Sequence, residues 1–277
     1  MAKALGLIGN FKGKLGNTVG YSLKDSNNKQ TQGVRVYQPV VRNPKTAAQA
    51  EQRAKLAPIN ATYRALKMVI DRGQEGKAYG NKSRLAWLSA AMKAFNGPWF
   101  EKGVGINMPC LVQLTKGSLA VNMSFTVSAE SIVVNMNGAD LSSINTLGAL
   151  STAFIAAYPA LKDGDQITFV EVSENSGSII SIIDSIVLDS SSSAALPSTF
   201  NAGEGSVTYE KDGFAPTAGT IIVSREGDNG AHLRSNAMLV KSPDYSNDLL
   251  APAAKQAAIE SYMSQGANTD WAEESLM

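Results

Sequence analysis

The chain has 277 residues, 44% of them hydrophobic and only 18% charged. That is enough length and apolar content for a substantial core, with Ser, Asn, Thr, Ala and Gly filling a surface suited to β-rich, turn-rich architecture. One cysteine, Cys110, and one histidine, His232, exclude an internal disulfide and any cysteine-based metal cluster, and they remove most histidine-centred catalysis.

Both of those residues read as packing or surface positions. No stretch approaches the roughly 18 apolar residues of a membrane span, and the opening MAKALGLIGNFKG lacks the apolar centre of a secretory signal. The expectation is a protein with no membrane partner that is not exported through a signal peptide. The net charge of +1 hides an asymmetry: residues 1–102 carry eighteen basic against five acidic side chains, a balance of +13, and residues 103–277 carry seven against nineteen, a balance of −12. Such a split points the basic part at a polyanion or an acidic partner, although the two halves could also neutralise each other in a head-to-tail oligomer.

In chain order, the first 45 residues read as short strands separated by glycine, at 5–11, 18–23 and 33–41, with a polar turn at 25–29. In GVRVYQPVV, Val34 and Val36 point one way and Arg35 and Tyr37 the other, which predicts a ribbon with one basic, aromatic face. Asn43-Pro44 ends it. Thr46 followed by Gln49 is a capping-box signature for a helix over 46–70, with a kink or a junction of two helices at Pro58. A second helix is predicted from an Asn81 cap to the stop at Gly97-Pro98, with Leu85, Leu88, Met92 and Phe95 on one face and Trp87 and Trp99 closing the core.

Beyond Pro109 the period becomes that of strands. SFTVSAESIVVNM and DQITFVEV alternate, SIISIIDSIVLD and GTIIVSRE are β-branched runs, and NAMLV is a short last strand. Residues 147–161 read as a helix or crossover between strands, and residues 250–265 as a terminal helix with an acidic tail. The expected class is α+β: a basic N-terminal strand and helix module, then an antiparallel β-sandwich of immunoglobulin-like or fibronectin-like type, then a C-terminal helix. The expected divisions are 1–45, 46–108, 109–249 and 250–277.

The glycines at 6, 9, 13, 16 and 20 do not make a phosphate loop, because Gly13-Lys14 is followed by Leu15 and no glycine stands at the required upstream position. A dinucleotide fingerprint fails as well, since the next helix begins some 25 residues later. The functional reading of this segment is a contact arm for nucleic acid or an acidic partner. Lys12, Lys14, Lys24, Lys29, Arg35, Arg42 and Lys45 would meet phosphates or carboxylates, and Tyr21 and Tyr37 would stack on bases. The plainer alternative is a small meander whose lysines only solvate it and whose glycines mark tight turns.

The acid pairs Asp163/Asp165 and Asp184/Asp189 read as turn residues rather than as catalytic or calcium-binding groups. SREGDNGAHLRSNAM places Arg225, His232, Arg234 and Asn236 around an Asn-Gly turn, first of all a β-hairpin whose tip could bind. No catalytic set, cofactor site or metal site is expected.

GKLGNTVGYSLKDSNN, then RNPKTAAQAEQRAKL with Asn43, Pro44, Thr46, Gln49 and Arg53, resembles a family of uncharacterised proteins of Bacteroidota and their phages, and YPALKDGDQITFVEV, LRSNAMLV and AIESYM extend the similarity. The resemblance implies an immunoglobulin-like sandwich with a terminal helix and a role in the virion. It supplies no catalytic residues. The expectation is therefore a non-enzymatic phage structural protein, associated with capsid, portal or tail and partnered by other virion proteins and packaged DNA, and forming a homo-oligomer. The alternatives are a surface module recognising glycan or protein through the turns at Asp163 and Gly230, and a hydrolase dependent on His232.

Overall fold

The computed structural model describes residues 13–24, 30–37, 46–104, 108–141, 144–175, 178–227, 230–243 and 248–264, and these fall into two units, Met1–Pro44 and Lys45–Met277. The fold is α+β, as expected.

In the first unit, β1 (Gly13–Leu15), β2 (Thr18–Lys24) and β3 (Gln30–Val36) form an antiparallel sheet in that order. The register sets Lys14 opposite Val19 and Val19 opposite Arg35, with Tyr21 opposite Gly33. Because side chains alternate along a strand, Lys14, Val19, Tyr21 and Arg35 share one face, and Leu15, Val34 and Val36 share the other. The basic, aromatic face expected from sequence is present. β1 was not foreseen, β3 starts at Gln30 instead of 33 and ends at Val36, and the expected strand at 5–11, the turn at 25–29 and residues 38–41 of the expected strand lie outside the described residues.

In the second unit, α1 (Ala47–Ala65) opens as predicted, with the Thr46 hydroxyl accepting the Gln49 N–H at 3.3 Å. The junction expected at Pro58 lies elsewhere. Pro58 sits buried beside Ala54, Ile59 and Thr62, and the helix runs through it to Leu66, where φ −107° and ψ 25° interrupt the run before α2 (Lys67–Ile70).

α3 (Asn81–Ala94) starts at Asn81, but its cap is Gly80 at φ 79°, with no side-chain bond, so Asn81 is not the cap. Its buried stripe is Ser83, Trp87 and Ala91, whereas Leu85 is 53% exposed. Two hydrogen bonds fix that rotation: Ser83 Oγ donates to the Ile70 carbonyl at 2.7 Å, and Trp87 Nε1 to the Gln113 carbonyl at 2.9 Å. The expected face of Leu85, Leu88, Met92 and Phe95 is thus turned partly to solvent.

After β4 (Gln113–Thr115) come seven strands of a sandwich: β5 (Phe125–Val127), β6 (Ser131–Asp140), β7 (Gln166–Asn175), β8 (Ser178–Val187), β9 (Phe200–Glu210), β10 (Ala218–Glu226) and β11 (His232–Arg234). The first, second and fifth of them form the sheet β5-β6-β9, and the seventh, sixth, third and fourth form β11-β10-β7-β8. This is the immunoglobulin-like Greek-key partition with the fourth strand paired to the third.

α4 (Leu147–Ala157) is the helix foreseen between strands and packs on β6. Two short strands follow β11: β12 (Ala237–Met238), which pairs with β4, and β13 (Val240–Lys241), which pairs with β10. A terminal helix, α5 (Pro252–Ser264), packs on α1.

The larger sheet is the middle layer. Its inner face meets the smaller sheet and α4 in a cluster around Phe169, Phe200 and Tyr209, whose ring centroids lie 4.8–5.3 Å apart. Its outer face gives Val170, Val172, Ala218 and Ile222 to a second cluster with Ile59, Leu66, Trp87, Trp99 and Ala258. The helices between 47 and 94 therefore share their core with the sandwich. Cys110 is buried in that second cluster, and desolvation pushes its thiol up to about 12, so it packs as an inert apolar group.

Candidate functional site

Of the residues proposed for the arm, Lys14, Tyr21, Arg35 and Tyr37 fall on one face of the ribbon. The Lys14 ammonium lies 3.7 Å from the centre of the Tyr37 ring, a cation–π distance. The Tyr21 ring lies on Gly33, where an added Cβ would come within 2.6 Å of Tyr21 Cζ. Each ring is thus held on one side and offers at most one face to a ligand. Arg35 is exposed, and Lys24 ends β2. Lys12, Lys29, Arg42 and Lys45 lie outside the described residues. The unit Met1–Pro44 carries seven basic residues and one acid, Asp25, a net of +6.

The acid pairs serve structure. Asp163 accepts the Ser190 N–H and hydroxyl, both at 2.8 Å. The Asp165 carboxylate, 1% exposed, takes both oxygens to Arg225, Oδ1 to Nε at 2.6 Å and Oδ2 to the guanidinium terminus at 2.6 Å, and also accepts the Lys162 N–H. That carboxylate in turn raises the Arg225 pKa. Asp189 accepts from Ser191, as a turn residue does. Asp184 does not fit the turn reading: it stands in the middle of β8, opposite Phe169.

A cleft of about 600 Å³ opens on the outer face of the larger sheet. Its floor is a set of alternate strand positions that the register brings side by side: Gln166 and Thr168 from β7, Ser185 and Val187 from β8, Ser224 and Glu226 from β10, and His232 and Arg234 from β11. Met68 and Val69 of α2, together with Arg72 and Tyr79 of the following loop, form one wall, and Gly164 lies at the rim.

The wall is tied together by rings: Tyr79 and His232 have centroids 6.4 Å apart, and the Arg72 guanidinium lies 5.8 Å from the Tyr79 ring. Glu75 braces the loop from behind. Burial works against its charge, yet hydrogen bonds from the Ser118 hydroxyl and N–H and the Arg234 N–H, with the Arg234 charge nearby, hold its pKa below the ordinary value.

The hairpin residues Arg225, His232 and Arg234 singled out in the sequence thus line one cleft, whereas Asn236 turns to the Gln113 side chain and the Gly117 N–H. Sequence reasoning missed Arg72, Tyr79, Gln166 and Ser185. The first two come from an irregular loop with no pattern, but the last two were visible as polar residues at outward positions of apolar strands. Chemically the cleft offers guanidinium groups, an exposed phenol ring, hydroxyls and an amide, a set suited to holding a polar anion. Among the described residues no group of three or more His, Cys, Asp or Glu side chains is placed to hold a metal.

Compared with protein-family models, curated proteins and solved structures, the chain finds no match in any of the three.

Proposed function

We propose that the chain is a non-enzymatic structural protein of a phage particle, anchored through its N-terminal ribbon to packaged nucleic acid or to an acidic virion protein, with the sandwich making subunit contacts. The observation that carries this reading is the ribbon. It is a separate unit with a net charge of +6, cations and aromatics on one face, and on the other face apolar side chains left open, Leu15 53% and Val36 71% exposed. A three-stranded sheet of this size has too little apolar area to hold itself together, so a surface that covers its apolar face stabilises it while the basic face is presented to an anion. Among the described residues β1 and β3 are the edge strands, and a neighbouring copy could pair with them.

The test is light scattering coupled to size exclusion at about 50 and about 500 mM salt, with and without single-stranded and duplex DNA, for the full chain and for a chain lacking residues 1–45. Salt-sensitive DNA binding lost with the ribbon supports nucleic acid as the partner. A salt-stable oligomer that is indifferent to DNA and lost with the ribbon supports a protein partner. A monomer that ignores DNA, and that enters particles equally well when Lys14 and Arg35 are changed to Gln, refutes the anchoring role.

A further inference from the structure

The cleft on the larger sheet has a charge pattern that the rest of its unit does not share. Residues 45–277 carry eighteen basic and twenty-three acidic side chains, a net of −5, yet three of the six arginines among them, Arg72, Arg225 and Arg234, line this one cleft against a single lining acid, Glu226. Arg225 is matched by Asp165, whereas Arg72 and Arg234 have no carboxylate within ion-pair distance among the described residues. Two guanidinium groups outside any ion pair, Arg72 over the Tyr79 ring and Arg234 with the Glu75 charge nearby, select an anion in a concave site, and Arg does so with planar, bidentate geometry.

The floor narrows the choice. Its centre is the face of β7 and β10, whose ladder groups are paired on both sides, so an extended peptide laid across it gains no backbone bonds there. What it offers instead is a row of short groups that both donate and accept, Gln166, Thr168, Ser185 and Ser224; Gln166 donates to the Ser185 hydroxyl and accepts from Ser224, and the capacity left over on each matches a ligand rich in hydroxyls. Tyr79, 56% exposed on the rim beside His232, gives a flat apolar surface for the carbon face of a ring. A volume of about 600 Å³ lies within the usual range for small-ligand sites.

We propose that this cleft binds an acidic saccharide, a sugar carrying a carboxylate or sulfate. Arg72 and Arg234 hold the anionic group, Tyr79 stacks on the ring, and Gln166, Ser185 and Ser224 take the hydroxyls. The proposal stands apart from the role of the ribbon, since every residue in it belongs to the second unit.

The experiment is titration calorimetry of the full chain with trigalacturonate, a chondroitin sulfate tetrasaccharide and neutral maltotriose, repeated with Arg72→Gln, Arg234→Gln, Tyr79→Ala and, as a control for the basic ribbon, the pair Lys14→Gln and Arg35→Gln. Melting curves establish that each variant is folded; Lys14, Arg35, Arg72 and Tyr79 are exposed and Arg234 is half-buried. The expected result is binding of at least one acidic sugar and not of maltotriose, weakened about tenfold or more by each cleft substitution and unchanged by the ribbon pair. Three results overturn the proposal: no binding of either acidic sugar, binding that the ribbon pair abolishes and the cleft variants leave intact, or displacement of the sugar by an acidic phosphopeptide that binds more tightly.

Discussion

Glu171 provides a sharp test of the sandwich packing. It lies on the inner face of β7, opposite Gly219 of β10 and Ile182 of β8, it is fully buried, and neither carboxylate oxygen has a hydrogen-bond partner among the described residues. At Gly219 an added Cβ would come within 2.9 Å of the Ile132 side chain, so the space around Glu171 is closed by close packing of the two sheets. Desolvation, and next the charge of Glu210, push the Glu171 pKa up from 4.5 to about 7. The folded chain keeps a proton that the unfolded chain releases between pH 4.5 and about 7. The stability held by neutral Glu171 is therefore complete below pH 4.5 and lost as the pH rises through 7.

That shift is equivalent to about 3 kcal/mol. Glu171→Gln keeps the shape and cannot ionise, so it should be more stable than the native chain by up to about 3 kcal/mol at pH 8, or about 5–10 °C in Tm for a chain of this length. The gap should shrink below about 1 kcal/mol at pH 5. Thermal melts of both proteins across pH 4–8 read this directly. A Tm difference independent of pH, or a Gln variant less stable at pH 8, would show that Glu171 is solvated or paired and that the inner face is not sealed.

Other substitutions probe the remaining contacts. Arg225→Gln leaves the Asp165 carboxylate, 1% exposed, with the Lys162 N–H but no guanidinium; urea denaturation should show a loss of about 3 kcal/mol, and a loss under about 1 kcal/mol would refute the buried pairing. Trp87→Ala removes the largest fully buried side chain of the helix–sheet cluster and its bond to Gln113; a loss of about 3–5 kcal/mol is expected, and a small one would mean that the helices do not share a core with the sheet. Gly33→Ala must displace the Tyr21 ring, so the ring-proton shifts of Tyr21 should move while the main melting transition stays in place; unmoved shifts would contradict the ring-on-glycine contact.

Much of the fold was legible because its strands are apolar at alternate positions and its helices carry recognisable ends. Thr46 and Gln49 placed the start of α1, alternation placed β6 and β7, and the β-branched runs placed β8 and β10. The errors have physical causes. Pro58 looked like a break because proline removes one helical bond, yet a buried position on the core stripe holds the helix through it. Phe200–Glu210 was passed over because FNAGEGSVTYE carries two glycines and two acids, and it becomes a strand through pairing with β6. The rotation of α3 depended on the bonds of Ser83 and Trp87 to carbonyls far along the chain, which no local pattern encodes.

The cleft was legible in principle, as a change of polarity along single strands. The outward positions of β7 read Gln166, Thr168, Val170, Val172, and those of β10 read in the opposite direction, Ala218, Ile222, Ser224, Glu226, with Thr220 the one polar interruption. Antiparallel pairing aligns the two gradients, so the apolar halves meet at one end of the sheet and the polar halves at the other. The apolar end is where α1, α3 and α5 bury Val170, Val172 and Ile222. The polar end cannot be covered by an apolar helix face without stranding hydrogen-bonding groups, which costs more than the added apolar contact returns. The helical layer therefore stops short, and the exposed end becomes a floor of amide and hydroxyl groups with Arg72 and Tyr79 at its wall. A helix packed on an antiparallel sheet thus leaves a site wherever the outward positions turn polar together in neighbouring strands. In this chain those positions are Gln166, Ser185, Ser224 and Arg234.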